Sequence, residues 1–135
     1  MSACPLCNDD GGELLVTAMR WRIVLADEPG WPGFARVIWN DHVAEMTDLQ
    51  ADHRRELMEV LFELEALMRA TLAPDKINLA SLGNQVPHLH WHLIPRHRDD
   101  SHFPAPIWAA PVRAGRAADP ARLAAFRAAV AARFA

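Results

Sequence analysis

Three histidines stand at alternate positions in His88-Leu89-His90-Trp91-His92, followed by the apolar pair Leu93-Ile94. Successive side chains of an extended strand point to opposite faces, so this spacing predicts that the three imidazoles project together while Leu89, Trp91 and Leu93 point the other way. Imidazole is substantially neutral near pH 7, and its nitrogen can attack an electrophile without first losing a proton. A solvent-facing strand that happens to use histidine is the bland alternative, and three in alternation weigh against it. The chemical rival is a metal site, because alternate strand positions converge on an ion. No carboxylate to orient such ligands lies within the strand, although Asp99 and Asp100 follow.

Cys4-Pro-Leu-Cys7 is a second pair with chemical potential. Its spacing suits metal ligation or redox chemistry better than a disulfide, which would close only a tiny loop, and a reducing cytoplasm is the expected setting. Two thiols are half of a tetrahedral zinc site; a thiol pair without metal is the alternative. Asp27 precedes Glu28-Pro29-Gly30, where a carboxylate can accept from two neighbouring hydroxyls or simply form a turn. The amides Asn78 and Asn84 have ordinary strand-end or turn explanations.

These residues need a frame. The chain of 135 residues fits one compact domain, 1–135. Its net charge of −3 gives no basic field for gripping nucleic acid. Lys76 is the sole lysine, so a phosphate site must use Arg, His or backbone N–H groups. No stretch approaches the roughly eighteen apolar residues that cross a bilayer, and the first residues lack an export pattern, so neither membrane nor export is expected. Residues 14–26 read as extended structure, Glu28 to Gly33 as a turn, and Phe34 to Trp39 as a strand antiparallel to the first. Thr47 or Asp48 caps a helix to about Leu72, whose stripe of Leu57, Val60, Leu61, Leu64, Leu67, Met68 and Leu72 is core. Ile77 to Leu82 reads as a strand and Ser81 to Gln85 as a turn. Asp119-Pro120 opens a last helix with Leu123, Phe126, Val130 and Phe134 on its apolar side. This order implies an α+β fold: an antiparallel sheet of about five strands with one long helix and a C-terminal helix.

The His88 to Ile94 run resembles the signature of the histidine-triad (HIT) superfamily. The approach from Ile77 to Pro87 is similar too, as is Asp27 followed by a Pro/Gly turn, a strand and His42-Val43-Ala44-Glu45-Met46, so the resemblance covers roughly residues 14 to 96. It implies a HIT-like fold and a nucleotide hydrolase or transferase acting on dinucleoside polyphosphates or nucleoside phosphoramidates, with no metal at the chemical step. It makes His90 the nucleophile that becomes nucleotidylated, with His92 on phosphate oxygens. It also puts Asn84 near the leaving group, Asn78 near the phosphate and Asp27 on the ribose hydroxyls. Phe34 stands where many relatives carry a further histidine. Zinc-bearing branches imply a structural zinc on Cys4 and Cys7 of the N-terminal segment 1–13, with His42 and His88. A homodimer joined through its sheets is implied as well. Within the tail and helix, 97–135, and just before it, Arg96 or Arg98 could neutralise outer phosphates and Trp108 could cover a base or a partner subunit. A nucleotide-binding protein with little turnover and a zinc-binding regulatory module are the other readings.

Overall fold

Five short strands carry the apolar alternation: β1 (Glu13–Thr17), β2 (Trp21–Leu25), β3 (Ala35–Trp39), β4 (Lys76–Ala80) and β5 (His90–Arg96). They form one sheet in the order β1-β2-β3-β5-β4 with every neighbouring pair antiparallel. This computed structural model describes residues 3–135; Met1 and Ser2, at the head of segment 1–13, lie outside the described residues. The stretch 14–26 is not one strand but a hairpin, closed where the Ala18 N–H donates to the Trp21 carbonyl at 2.9 Å. No glycine or proline marks residues 18–20, so local composition carries no sign of this turn.

One face of the sheet is the core. Ile23, Leu25, Ala35, Val37, Trp39 and Leu93 pack against Leu57, Val60, Leu61, Leu64, Met68 and Leu72 of the long helix α2 (Ala51–Leu72), and Phe126 and Val130 of α3 (Pro120–Arg133) join them. Leu67, at the margin of the expected stripe, is only partly buried. The α2 start differs from expectation. Asp48 caps a preceding turn of 3-10 helix (Met46–Asp48), accepting the N–H groups of Ala44 at 3.2 Å and Glu45 at 2.9 Å, and α2 begins three residues later. Before Pro74 the helix stops at Ala73, held in the left-handed region at φ 48°. Asp119 caps α3 as its sequence implies, accepting from the N–H groups of Ala121 and Arg122. Gly33 leads into β3 at φ +91°, and a Cβ there would sit 2.4 Å from Leu72 Cδ1, so only glycine lets the chain pass the end of α2.

The opposite face carries the chemistry. Arg36 pairs with His92 and Ile38 with His90 across β3 and β5, and Val24 and Arg22 of β2 continue those rows. An N-terminal segment containing the short helix α1 (Pro5–Asn8) and the tail after Arg96 cover this face. Among the described residues no helix is long and apolar enough to cross a membrane.

Candidate functional site

His90 and His92 project from β5 as its alternation requires, their rings 4.9 Å apart and almost perpendicular. His90 is nearly buried, and its Nδ1–H donates to the His88 carbonyl at 2.6 Å. The proton is thereby fixed on Nδ1, leaving Nε2 with a lone pair. His92 takes the opposite tautomer. Arg36 Nε donates to its Nδ1 at 3.3 Å, which puts the His92 proton on Nε2. Burial, then the neighbouring His90 and Arg36, push His92 down to about 4, so it is a neutral hydrogen-bond donor near pH 7. The pair thus combines a nucleophilic nitrogen with an uncharged donor. Phe34 packs edge-on against the His92 ring at 5.4 Å and is itself buried, so an apolar wall stands beside the histidine pair.

His88 behaves differently from its neighbours. It lies just before β5, which begins at His90. Its fully buried ring turns toward the N-terminal segment, and its Nε2–H donates to the Trp39 carbonyl at 2.6 Å. That bond leaves Nδ1 unprotonated, facing Cys4 Sγ at 3.4 Å, Cys7 Sγ at 3.5 Å and His42 Nδ1 at 3.3 Å. Cys7 Sγ lies 3.3 Å from His42 Nδ1, and all four ligand atoms fall within 4.8 Å of one another. Zinc bonds of about 2.3 Å to sulfur and about 2.0 Å to nitrogen give tetrahedron edges of roughly 3.3 to 3.6 Å between S and N or N and N. The observed spacings match those edges. The His88 backbone anchor is also the arrangement that orients metal-binding imidazoles. The four residues therefore suit a metal, and zinc fits both donor set and geometry.

A cleft of about 560 Å³ opens beside His90 and His92, lined also by Arg36, Asn84, Trp108 and, between the two cysteines, Pro5 and Leu6. Asn84 therefore reaches the same cleft as the imidazoles. Asn78 lies two places from the His92 row, and its Oδ1 accepts from Arg96 Nη1 at 2.9 Å. Asp27 lines a hollow with Gly12 and Arg127, apart from the cleft beside His90 and His92. Arg96 does not reach outward to phosphates. It is buried, and it forms a two-pronged pair with the fully buried Asp100 at 2.8 and 3.1 Å. Burial acts to raise the Asp100 carboxyl, but Arg96 and the N–H groups of His102, His97 and Phe103 override it and hold that carboxyl well below the usual range. Arg98 uses its backbone N–H to bond Asp75 at the surface.

Arg36, Pro5 and Leu6 carry no motif of their own. Arg36 could have been found by extending the β3 alternation to the face opposite Val37 and pairing it across the sheet with His92. The N-terminal wall has no such signal, since it depends on where Arg22 and Arg36 hold the segment. Arg22 donates to the carbonyls of Leu6 at 2.7 Å and Asp10 at 2.9 Å, and Arg36 to that of Gly11 at 3.1 Å. Gly11, at φ +86°, allows this approach, because a Cβ would meet Ile38 Cδ1 at 2.7 Å and Leu6 Cδ2 at 2.8 Å.

Comparison with known proteins agrees with this fold. The HIT domain family model matches residues 12–99, and the chain belongs to the histidine-triad family. No curated protein matches the chain. A histidine triad protein from Bradyrhizobium japonicum superposes with a TM-score of 0.77 at 23% identity, covering 93% of this chain and 92% of that one. One from Marinobacter aquaeolei gives 0.74 at 23% identity over 93% of each chain. A Zn-bound histidine triad family protein from Mycobacterium smegmatis gives 0.68 at 21% identity, covering 96% of this chain and 94% of that one. At these identities the likeness is one of fold.

Proposed function

We propose that this protein cleaves nucleotides at the α-phosphate through a covalent nucleotidyl-histidine on His90, acting on dinucleoside polyphosphates or nucleoside phosphoramidates. The observation that carries this reading is the bond from His90 Nδ1–H to the His88 carbonyl, which aims an unprotonated Nε2 at a cleft shared with His92. Nε2 would attack phosphorus, and the P–O or P–N bond to the leaving group would break, its electron pair departing with that group, which takes a proton from solvent that the later attack of water gives back. Water would then cleave the N–P bond, releasing the nucleoside monophosphate and regenerating His90. His92, as a neutral donor, and Arg36 would hold phosphate oxygens while charge builds on them. Asn84 is proposed to meet the leaving-group side, Asn78 to lie near the phosphate and Asp27 to bind ribose. The last two require the substrate to bridge beyond the cleft residues described.

Trapping tests the reading. Radiolabelled nucleotide should attach covalently to the wild type and not to His90→Ala, with kcat falling by about a thousandfold or more for loss of the nucleophile. Unchanged labelling in His90→Ala would overturn it. Phe34 favours a second reading, a nucleotide-binding protein with little turnover, because one imidazole of many relatives is missing from this site. Binding without labelling or hydrolysis of any substrate class would support that alternative.

Zinc on Cys4, Cys7, His42 and His88 is part of the proposal, as structural bracing away from the chemical step. Metal content near one zinc per chain, lost in Cys4→Ser, is the expected result. We also propose a homodimer in the cytoplasm, since β4 leaves a sheet edge open to pairing; light scattering at twice the chain mass is the check.

A further inference from the structure

Trp108 is 58% exposed, whereas Trp31 and Trp39 of the five tryptophans are buried and Trp21 and Trp91 are partly covered. An exposed indole forgoes the large apolar burial that makes tryptophan useful to a fold. Looseness of the chain does not explain it, because the backbone around Trp108 is tied on every side. Ile107 packs on the apolar cluster of Trp31, Phe34 and Ile94, and the Ala109 N–H donates to the Pro106 carbonyl at 3.0 Å. Arg96 Nη2 holds the Ala105 carbonyl at 2.7 Å, the Val112 N–H donates to Ser101 O at 2.7 Å, and Arg113 binds the carbonyls of Asp100 and Phe103 at 2.6 and 2.8 Å.

This tied loop presents the indole to the cleft that also holds His90, His92 and Arg36. Pro5, Leu6, Leu82 and Val86 make the rest of the wall mostly apolar, with the amides Asn84 and Gln85 among them. The volume of about 560 Å³ suits a small molecule with a charged end and a flat apolar end. Resting on the nucleotide reading above, we propose that Trp108 is a substrate-contacting residue that stacks on the nucleobase and sets the preference of the cleft for nucleotides over phosphates without a base. Asp100 and Arg96 are then positioning residues, acting on substrate only through the loop that carries Trp108.

Paired titrations of the full-length protein with AMP and with ribose 5-phosphate test this. Stacking of one base corresponds to an affinity change of about fivefold to a hundredfold. The wild type should bind AMP at least about fivefold more tightly than ribose 5-phosphate; Trp108→Ala should lose most of that preference while keeping its affinity for ribose 5-phosphate, and Trp108→Phe should keep part of it. AMP should also quench tryptophan fluorescence in the wild type and not in Trp108→Phe. If AMP binds and Trp108→Ala retains the full preference, or weakens both ligands equally, the stacking role is overturned and the nucleotide reading stands. If the wild type binds neither ligand, both fall together.

Discussion

Two segments outside the sheet cover the face that carries His90 and His92, and they are fastened by opposite means. The N-terminal segment has almost no core of its own: helix Pro5–Asn8 buries none of its residues. It is held by arginine bonds to its carbonyls and by a Cys/His cluster spaced for a metal. The tail after β5 instead has a buried charge pair, Arg96 with Asp100, and an apolar foothold at Ile107. Each brings a wall to the same cleft, Pro5 and Leu6 from one side of the sequence and Trp108 from the other. The difference teaches that a small sheet can supply the two imidazoles of a cleft while borrowing the rest of its wall from segments that do not fold by hydrophobic burial alone.

Breaking the tail fastening should have the largest effect. Asp100→Ala leaves a buried guanidinium uncompensated and should lower unfolding free energy by about 3 to 5 kcal/mol, read from the urea midpoint. Asp100→Asn, which keeps the shape, should fall short of that loss. Removing the N-terminal fastening should act more locally. Chelation, or Cys4→Ser with Cys7→Ser, should remove the linkage contribution of bound metal, about 2.7 kcal/mol at a free metal hundredfold above its Kd. Hydrogen exchange should then speed up in residues 3–12 and leave α2 protected. AMP affinity should also drop as Pro5 and Leu6 leave the cleft.

Acid sharpens the contrast further. The folded-state pKa of Asp100 is depressed, so its contribution is fully present above the unfolded carboxylate value of about 3.9 and is lost as pH falls below that toward the folded value. The wild type should therefore lose stability on that limb, and Asp100→Asn should flatten it in pH-dependent unfolding. His92 acts in a higher window. Its folded pKa of about 4 lies below the usual value, so the unfolded chain binds its proton first and stability declines as pH drops from about 6.5 toward 4. His92→Gln should remove that slope. The smallest effect is expected from Arg113→Ala, which deletes two bonds to backbone carbonyls at the surface and should cost about 1 kcal/mol or less in unfolding free energy.

Much of the frame can be read from periodicity. The stripe from Leu57 to Leu72, the Asp119-Pro120 start of α3 and the β3 to β5 alternation all follow from local patterns, because one buried face imposes its own spacing. The hairpin at residues 18–20 is illegible, since its turn uses Ala18, Met19 and Arg20 rather than glycine or proline. The site divides in the same way. His90 and His92 follow from alternation, and the meeting of Cys4, Cys7, His42 and His88 follows from family resemblance, which the spacing of their ligand atoms now supports in geometry. What stays hidden is long-range pairing of charge. Arg96 looks like a solvent-facing phosphate ligand until Asp100 is seen beside it, and Arg36 looks like an ordinary strand arginine until the register sets it against His92.

The acceptor that fixes the His90 tautomer is a peptide oxygen, that of His88, and not a side chain. No single substitution can delete a main-chain carbonyl, so this orientation of the His90 ring is shielded from point mutation in a way that a carboxylate partner is not. Its weakness is instead to insertion and deletion. One residue added or removed between His88 and His90 would separate the donor from its acceptor and, by the two-residue period of the strand, send the side chains beyond it to the other face. The spacing of those three residues is therefore a stricter requirement of this arrangement than the identity of the side chains around them.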